Sequence, residues 1–186
     1  FLNKNLVGNI LRKFKIDVIF HLGAVTQVLE SLKDPYKTHN TNILGTINFL
    51  ENIRKINPNI TFIYSSSDKA YGELNKRNFY KESDCLKSDY PYDVSKSASD
   101  LICQSYSKTY SLRVGIIRCG NIYGPGDFNL KRLIPEVILS SIKKKRFVIR
   151  SSGKSTRDYV YVKDVVTAYT SLMNKLVKSK NKLRIY

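Results

Sequence analysis

The sequence is short of cysteine, proline, glycine and acidic residues, and each shortage removes a class of protein. Three Cys in 186 residues (Cys85, Cys103 and Cys119) are too few and too scattered for a disulfide scaffold or a zinc knuckle. They suit a reducing compartment, and no metal site is expected. Nine Gly and five Pro exclude a collagen-like or linker-like chain. No run approaches the ~20 apolar residues of a membrane span. No charged-then-apolar signal segment follows Phe1, so a cytoplasmic protein is expected. Only 15 Asp and Glu stand against 32 Lys and Arg, a formal net charge of +17. Such basicity raises nucleic acid or an anionic membrane as a partner. The composition argues otherwise: Lys outnumbers Arg 22 to 10, as an AT-rich coding sequence writes on neutral surface positions. The one dense run, Lys143-Lys144-Lys145-Arg146, reads as a solvated helix end. Aromatic stacking motifs of the RNA-binding type and a recognisable reader helix are missing. Neither nucleic acid nor membrane is expected, while a negatively charged small substrate would welcome the positive surface.

What is there is ordinary globular chain: 42% hydrophobic and 25% charged residues. Its length is that of about one domain, enough to bury a core. Leu2, Leu6, Ile10, Leu11 and Phe14 recur at helical spacing. The run Asp17–Leu22, closed by Gly23, reads as a buried strand. Thr41–Ile56 carries Ile43, Ile47, Leu50 and Ile53 on one helical face and stops at Asn57-Pro58. Ile60–Tyr64 is a second strand ending in Ser65-Ser66-Ser67, Pro91–Tyr110 a helix, and Val114–Arg118 a third strand. Apolar strands alternating with helices predict an α/β fold with a doubly wound parallel sheet covered on both faces. After Gly124-Pro125-Gly126 the segments shorten: a helix near Ile134–Ile142, a strand at Phe147–Arg150, a turn at Ser151–Gly153 and a helix from Val162 to Met173. This divides the chain into residues 1–125 and a smaller lobe, 126–186. Three strands are few for such a sheet, and a new apolar run begins at Leu183, so the chain is expected to continue at both ends.

The chemistry centres on Tyr92-Asp93-Val94-Ser95-Lys96. On a helix, residues i and i+4 share a face. A Lys ammonium beside a phenol favours the phenolate and lowers its pKa from ~10, giving a general base near neutral pH. Alone, the pattern also fits two exposed helix residues. Its position decides: the helix follows a strand ending in Ser65-Ser66-Ser67-Asp68-Lys69, and ligands of parallel sheets bind at the carboxyl ends of strands. His21, on a buried strand, reads as a core histidine, Asn42 as a tie between a helix and a neighbouring strand, and Cys119 as a small buried residue.

Five motifs then occur in order: His21-Leu22-Gly23-Ala24; Thr41-Asn42-Ile43-Leu44-Gly45-Thr46; Ser67 with Tyr92 and Lys96; Arg118-Cys119-Gly120-Asn121-Ile122-Tyr123-Gly124-Pro125-Gly126; and Arg157-Asp158-Tyr159-Val160-Tyr161-Val162. Together they resemble the extended short-chain dehydrogenase/reductases, the NAD-dependent nucleotide-sugar epimerases and dehydratases, from about Asp17 to Met173. Within that family Ser67-Asp68-Lys69, Tyr80-Lys81-Glu82-Ser83-Asp84, Arg132-Leu133-Ile134-Pro135 and Ile149-Arg150 are most similar to the 4,6-dehydratases of CDP-glucose. The resemblance implies an NAD-binding Rossmann fold, NAD as cofactor, a nucleotide-diphosphate sugar as substrate, a homodimer and a place in polysaccharide biosynthesis. It implies that Tyr92 takes the proton of the sugar 4-hydroxyl. Lys96 lowers the Tyr92 pKa and bonds the nicotinamide ribose, and Ser67 orients the hydroxyl. Gly23 and Ala24 let the cofactor approach the strand end. Asn121, Arg132 and Arg157 bind substrate, Arg157 as a charge-assisted donor to the pyrophosphate.

Asp68 and Lys69 bear on the reaction type. A 4-epimerase needs only to oxidise C4 and return the hydride from the other face. A 4,6-dehydratase must also remove the C5 proton and expel the C6 hydroxyl, which asks for the acid and base that Asp68 and Lys69 would supply. The plainer readings are a helix N-cap Asp with a solvated Lys, a turn residue at Asn121, and an ion pair of Arg157 with Asp158. The sequence departs from the family where the Gly-x-x-Gly-x-x-Gly turn and the ribose-binding acid are absent from these residues, and Gly23 stands for the more usual Ala. The expectation is a 4,6-dehydratase, inactive as this piece alone. The alternatives are a 4-epimerase and, from another class, a truncated binding or interaction module.

Overall fold

The computed structural model describes residues 1–72, 79–149, 152–154, 156–179 and 182–186. Arg150 and Ser151 of the expected strand and turn thus fall outside the described residues. The chain forms two compact units, Phe1–Cys119 with Ala168–Tyr186, and Gly120–Thr167.

In the first unit four strands run parallel in the order β1 (Val18–His21), β2 (Thr61–Ser65), β3 (Arg113–Ile117) and β6 (Leu183–Ile185). The sequence shows three of them as strands and the fourth only as the start of an apolar run at Leu183. The fourth, only three residues long, joins because β3 leaves a free edge that Leu183–Ile185 can pair with. The register sets the strand ends level, His21 opposite Tyr64 and Ser65 opposite Ile117, so the segments that follow them share one end of the sheet. Between β1 and β2 come helices α2 (Val28–Lys33) and α3 (Pro35–His39), a π-helical turn at Asn40–Leu44 and α4 (Gly45–Ile56). Helix α5 (Pro91–Tyr110) joins β2 to β3 and has the bounds expected from sequence, with Pro91 at its first turn and left-handed Ser111 at its end.

Alternation along the strands separates the two faces. Phe62, Tyr64, Val114 and Ile116 pack with Leu50 and Ile53 of α4, Cys103 of α5, and Val7 and Leu11 of α1 (Lys4–Lys13). The opposite face meets the second half of α7 (Val162–Lys178), where Leu172 and Leu176 are fully buried. Gly115 permits this approach, since a Cβ there would stand 2.8 Å from both Ile63 Cδ1 and Leu172 Cδ2. The α1 face differs from the expected one. Of the expected stripe Leu11 is buried, but Leu2, Leu6, Ile10 and Phe14 are exposed, and Val7 and Gly8 are buried beside Leu11. Gly8 contributes to this: a Cβ at that position would stand 2.6 Å from Asn52 Oδ1, so any larger residue would have to displace the Asn52 side chain.

The second unit holds a two-stranded parallel sheet, β4 (Asn121–Tyr123) with β5 (Tyr159–Tyr161), and α6 (Leu133–Ile142). Phe147–Ile149, expected as a strand, has no strand partner among the described residues. The sequence division into 1–125 and 126–186 differs from this arrangement at the C-terminus, because the later turns of α7 and β6 return to the first sheet.

Candidate active site

Two segments at the carboxyl end of β2 and the start of α5 bring five of the expected residues into the first unit. After β2 the backbone stays tied to β3, Ser66 N–H donating to the Ile117 carbonyl (2.8 Å) and Asp68 N–H to that of Cys119 (3.0 Å). Asp68–Tyr71 then form one 3-10 turn. Its N-cap is Ser67 and not Asp68: the Ser67 hydroxyl accepts from Lys69 N–H (3.2 Å) and donates to Asp68 Oδ1 (2.9 Å). Gly72 closes the turn at φ 79°, ψ −151°, a conformation open in practice only to glycine.

Tyr92 and Lys96 stand on one face of α5. Lys96 is 4% exposed, and its ammonium donates to the Ser65 carbonyl (2.8 Å) while lying 5.2 Å from the centre of the Tyr64 ring. Burial lowers the Lys96 pKa to about 8, so the ammonium still prevails at neutral pH but holds its proton loosely. Ser95 donates to the Tyr92 carbonyl (2.7 Å). Asn42, in the π-helical turn, donates to Ser95 Oγ (2.8 Å) and brackets Val25 by both its backbone groups (2.8 and 3.1 Å). It thus ties α5 to the segment after β1, the structural role expected of it. Gly23 is exposed and Ala24 half-buried at the end of β1. His21 is buried, bonds Thr46 Oγ1 (3.1 Å), and is held at a pKa of about 4, by burial first and then by the charge of Lys96. It belongs to the core.

Asn121, Arg132 and Arg157 all lie in the second unit. Asn121 begins β4 and is not in a turn, its N–H donating to the Asp158 carbonyl (2.8 Å). Arg157 is exposed and donates to the Thr156 carbonyl (2.8 Å). Arg132 caps α6 and pairs with Asp127 (3.2 Å). An open hollow of about 610 Å³ lies beside α6, lined by apolar residues including Tyr123, Phe128, Ile134 and Ile138.

Sequence reasoning passed over two features. Asp93 is 8% exposed and its Oδ1 is buried with no hydrogen-bond partner. Burial pushes its pKa up, Lys69 opposes this, and Asp68 and Asp89 add to it. Arg118 and Asp100 form an ion pair (2.9 Å) with side chains 3% and 0% exposed. The signal for the second was the spacing Tyr92, Lys96, Asp100, three residues on one helix face.

A parallel sheet whose strand ends carry small residues and a hydroxyl, beside a buried ammonium and a helix-borne phenol, gathers polar groups where ligands of such sheets bind. The model of the family described as NAD dependent epimerase/dehydratase matches residues 1–185. The chain is similar to a dTDP-D-glucose 4,6-dehydratase of Dictyostelium discoideum, 36% identical over 184 residues, covering 94% of this chain and 42% of that protein. It is also similar to a CDP-paratose 2-epimerase of Salmonella typhi, 30% identical over 195 residues, covering 92% of this chain and 58% of that one. The chain therefore spans well under the full length of these relatives. Among solved structures, a UDP-glucose 4-epimerase with UDP-glucose from Thermotoga maritima has a TM-score of 0.89 at 26% identity, covering 100% of this chain and 60% of that one. A dTDP-glucose 4,6-dehydratase from Bacillus anthracis in complex with NAD has a TM-score of 0.77 at 25% identity, covering 100% and 65%.

Proposed function

The chain belongs to the NAD dependent epimerase/dehydratase family, and from that premise we propose that it is the catalytic segment of a nucleotide-sugar 4,6-dehydratase. The observation that carries the reading is the turn after β2, where an acid and a base, Asp68 and Lys69, directly follow the hydroxyl of Ser67. Gly23, Ala24, Tyr92 and Lys96 would hold the nicotinamide end of NAD. That group, when bound, would supply the hydride acceptor for C4 and, once reduced, the hydride donor for C6.

The residues divide the remaining work. Tyr92 takes the proton of the sugar 4-hydroxyl. Lys96 stabilises the phenolate that makes this possible, its charge little screened inside the fold. Ser67 exchanges its bond to Asp68 for one to the sugar oxygen. Oxidation at C4 makes the C5 proton acidic, Lys69 removes it, Asp68 protonates the departing C6 hydroxyl, which leaves as water, and Lys69 gives its proton back to C5 as hydride reaches C6. Asn121, Arg132 and Arg157 would bind the nucleotide diphosphate, an anion that suits the chain's net charge of +17. A homodimer through α4 and α5 is part of the proposal, supported by apolar Leu101 and Tyr110 standing exposed on α5. Among the described residues no helix is long and apolar enough to cross a membrane.

A second reading, a 4-epimerase, is favoured by the TM-score of 0.89 to a UDP-glucose 4-epimerase. Product analysis by NMR separates the two. The protein at its natural length, given CDP-, dTDP- or UDP-glucose, should yield a 4-keto-6-deoxy sugar. A C4 epimer as the sole product would establish the epimerase.

A further inference from the structure

We propose that Arg118 is a positioning residue, whose guanidinium fixes the spacing between the helix bearing Tyr92 and Lys96 and the turn bearing Ser67, Asp68 and Lys69. The proposal rests on the reading of those five residues as the catalytic set, and concerns how two separate segments are kept in register.

Arg118 follows β3 and reaches both segments. Its Nε and Nη2 donate to the two carboxylate oxygens of Asp100 (2.9 and 3.0 Å). Its Nη1 donates to the Tyr71 hydroxyl (2.8 Å) and the Glu82 carbonyl (3.0 Å), and the guanidinium lies 4.8 Å from the centre of the Tyr71 ring. Asp100 is one helical turn beyond Lys96 on the same face of α5. Tyr71 is the last residue of the turn that starts at Asp68. The next residue, Cys119, accepts the Asp68 N–H. One side chain and its neighbour thus grip α5, the catalytic turn and the segment at Glu82 together.

Stability alone does not explain the arrangement. A buried ion pair is often matched or exceeded in stability by well-packed apolar side chains. A bidentate pair adds direction, since two parallel N–H···O bonds fix an angle as well as a distance. Gln104 supports the fork by donating to Asp100 Oδ1 (2.8 Å). Direction matters here because Ser67 and Tyr92 must meet one sugar hydroxyl from different elements, and a misplacement of about 1 Å can cost ~10²-fold in rate.

The test uses Arg118→Lys, which keeps the charge and loses the fork, and Tyr71→Phe, which removes one bond and keeps the ring. Each is made in the protein at its natural length. The first readout is the single-turnover rate of NAD reduction at saturating nucleotide sugar, a step that dehydratase and epimerase share. Arg118→Lys should lower it about 10- to 100-fold and Tyr71→Phe about 3- to 10-fold, with KM within about threefold of the parent. The second readout is amide exchange. It should quicken at Asp68 and Gly72 in both variants and stay slow at Ser66, which bonds β3 directly. Rates within about twofold of the parent in both variants overturn the proposal. So does exchange that is unchanged, or that quickens across the whole sheet. A parent that reduces no NAD on any nucleotide sugar overturns the functional reading, and the exchange pattern then still decides whether Arg118 holds the turn.

Discussion

Replacing Lys96 by Met should give a protein that is more stable and inactive, and the size of the gain can be worked from the structure. The Lys96 ammonium is 4% exposed, and burial lowers its pKa from 10.5 to about 8. That difference corresponds to about 3 kcal/mol charged against the folded state at neutral pH. Met keeps most of the apolar stem and removes the charge. It also removes the bond to the Ser65 carbonyl and the contact with the Tyr64 ring, together ~1–2 kcal/mol. A net gain of about 1–2 kcal/mol at pH 7 remains. The pH dependence is the sharper test. Between pH 8 and 10.5 the unfolded chain still binds a proton that the folded chain has lost, so the parent's stability rises with pH across that window. Lys96→Met lacks this rise, and the two curves should converge and cross as pH increases. Urea unfolding followed by circular dichroism from pH 6 to 11 measures both curves. Parallel curves between pH 8 and 10.5, or a variant less stable than the parent at pH 7, would refute the reasoning.

Other consequences follow from the same geometry. Tyr92→Phe removes the proposed proton acceptor and should cut turnover ~10²–10⁴-fold while nucleotide-sugar affinity, measured by calorimetry, changes little; turnover within about threefold of the parent would exclude Tyr92 as the base. Asp68→Asn keeps the shape and deletes the acid, so a dehydratase should still reduce NAD transiently yet accumulate little 4-keto-6-deoxy sugar by NMR, whereas an epimerase should keep most of its activity. His21, held at about 4 against an ordinary 6.5, takes its proton later than the unfolded chain as pH falls. The parent should therefore lose stability from pH 6.5 toward 4 by up to about 3 kcal/mol, and His21→Gln should flatten that loss in acid-titrated urea unfolding.

Local signals carried the elements that sequence reasoning found. Pro91 opens α5 with a φ already helical, and the apolar runs of β1, β2 and β3 are long enough to stand out against their flanks. β4 and β5 had no such signal. Each is three residues long, and Asn121–Tyr123 finds its partner only at Tyr159–Tyr161, so nothing in either segment's own composition marks the pairing. The α1 helix was visible but only Leu11 of its buried face was, because the stripe that packs also contains Gly8. A residue chosen for its lack of volume leaves no mark in a count of apolar positions.

The candidate site divides in the same physical way. Tyr92 and Lys96 lie four residues apart on one element, so helical geometry alone puts them on one face. Ser67, Asp68 and Lys69 are consecutive at a strand end, so sheet geometry alone puts them at the crevice. Neither rule says how the two groups are held to each other. That depends on a side chain from a third element: Arg118 on β3's far end, 18 residues beyond Asp100 and 47 beyond Tyr71. Its fork is recognisable only once the strand order has set β3 beside β2. In the sequence, Arg118 reads as the charged residue that ends an apolar strand. In the fold, four of its N–H bonds meet oxygen, and its side chain is 3% exposed. An unpaired guanidinium in that position would cost several kcal/mol. The residues proposed to do the chemistry are therefore legible from local spacing, while the residue proposed to set their spacing required the tertiary structure.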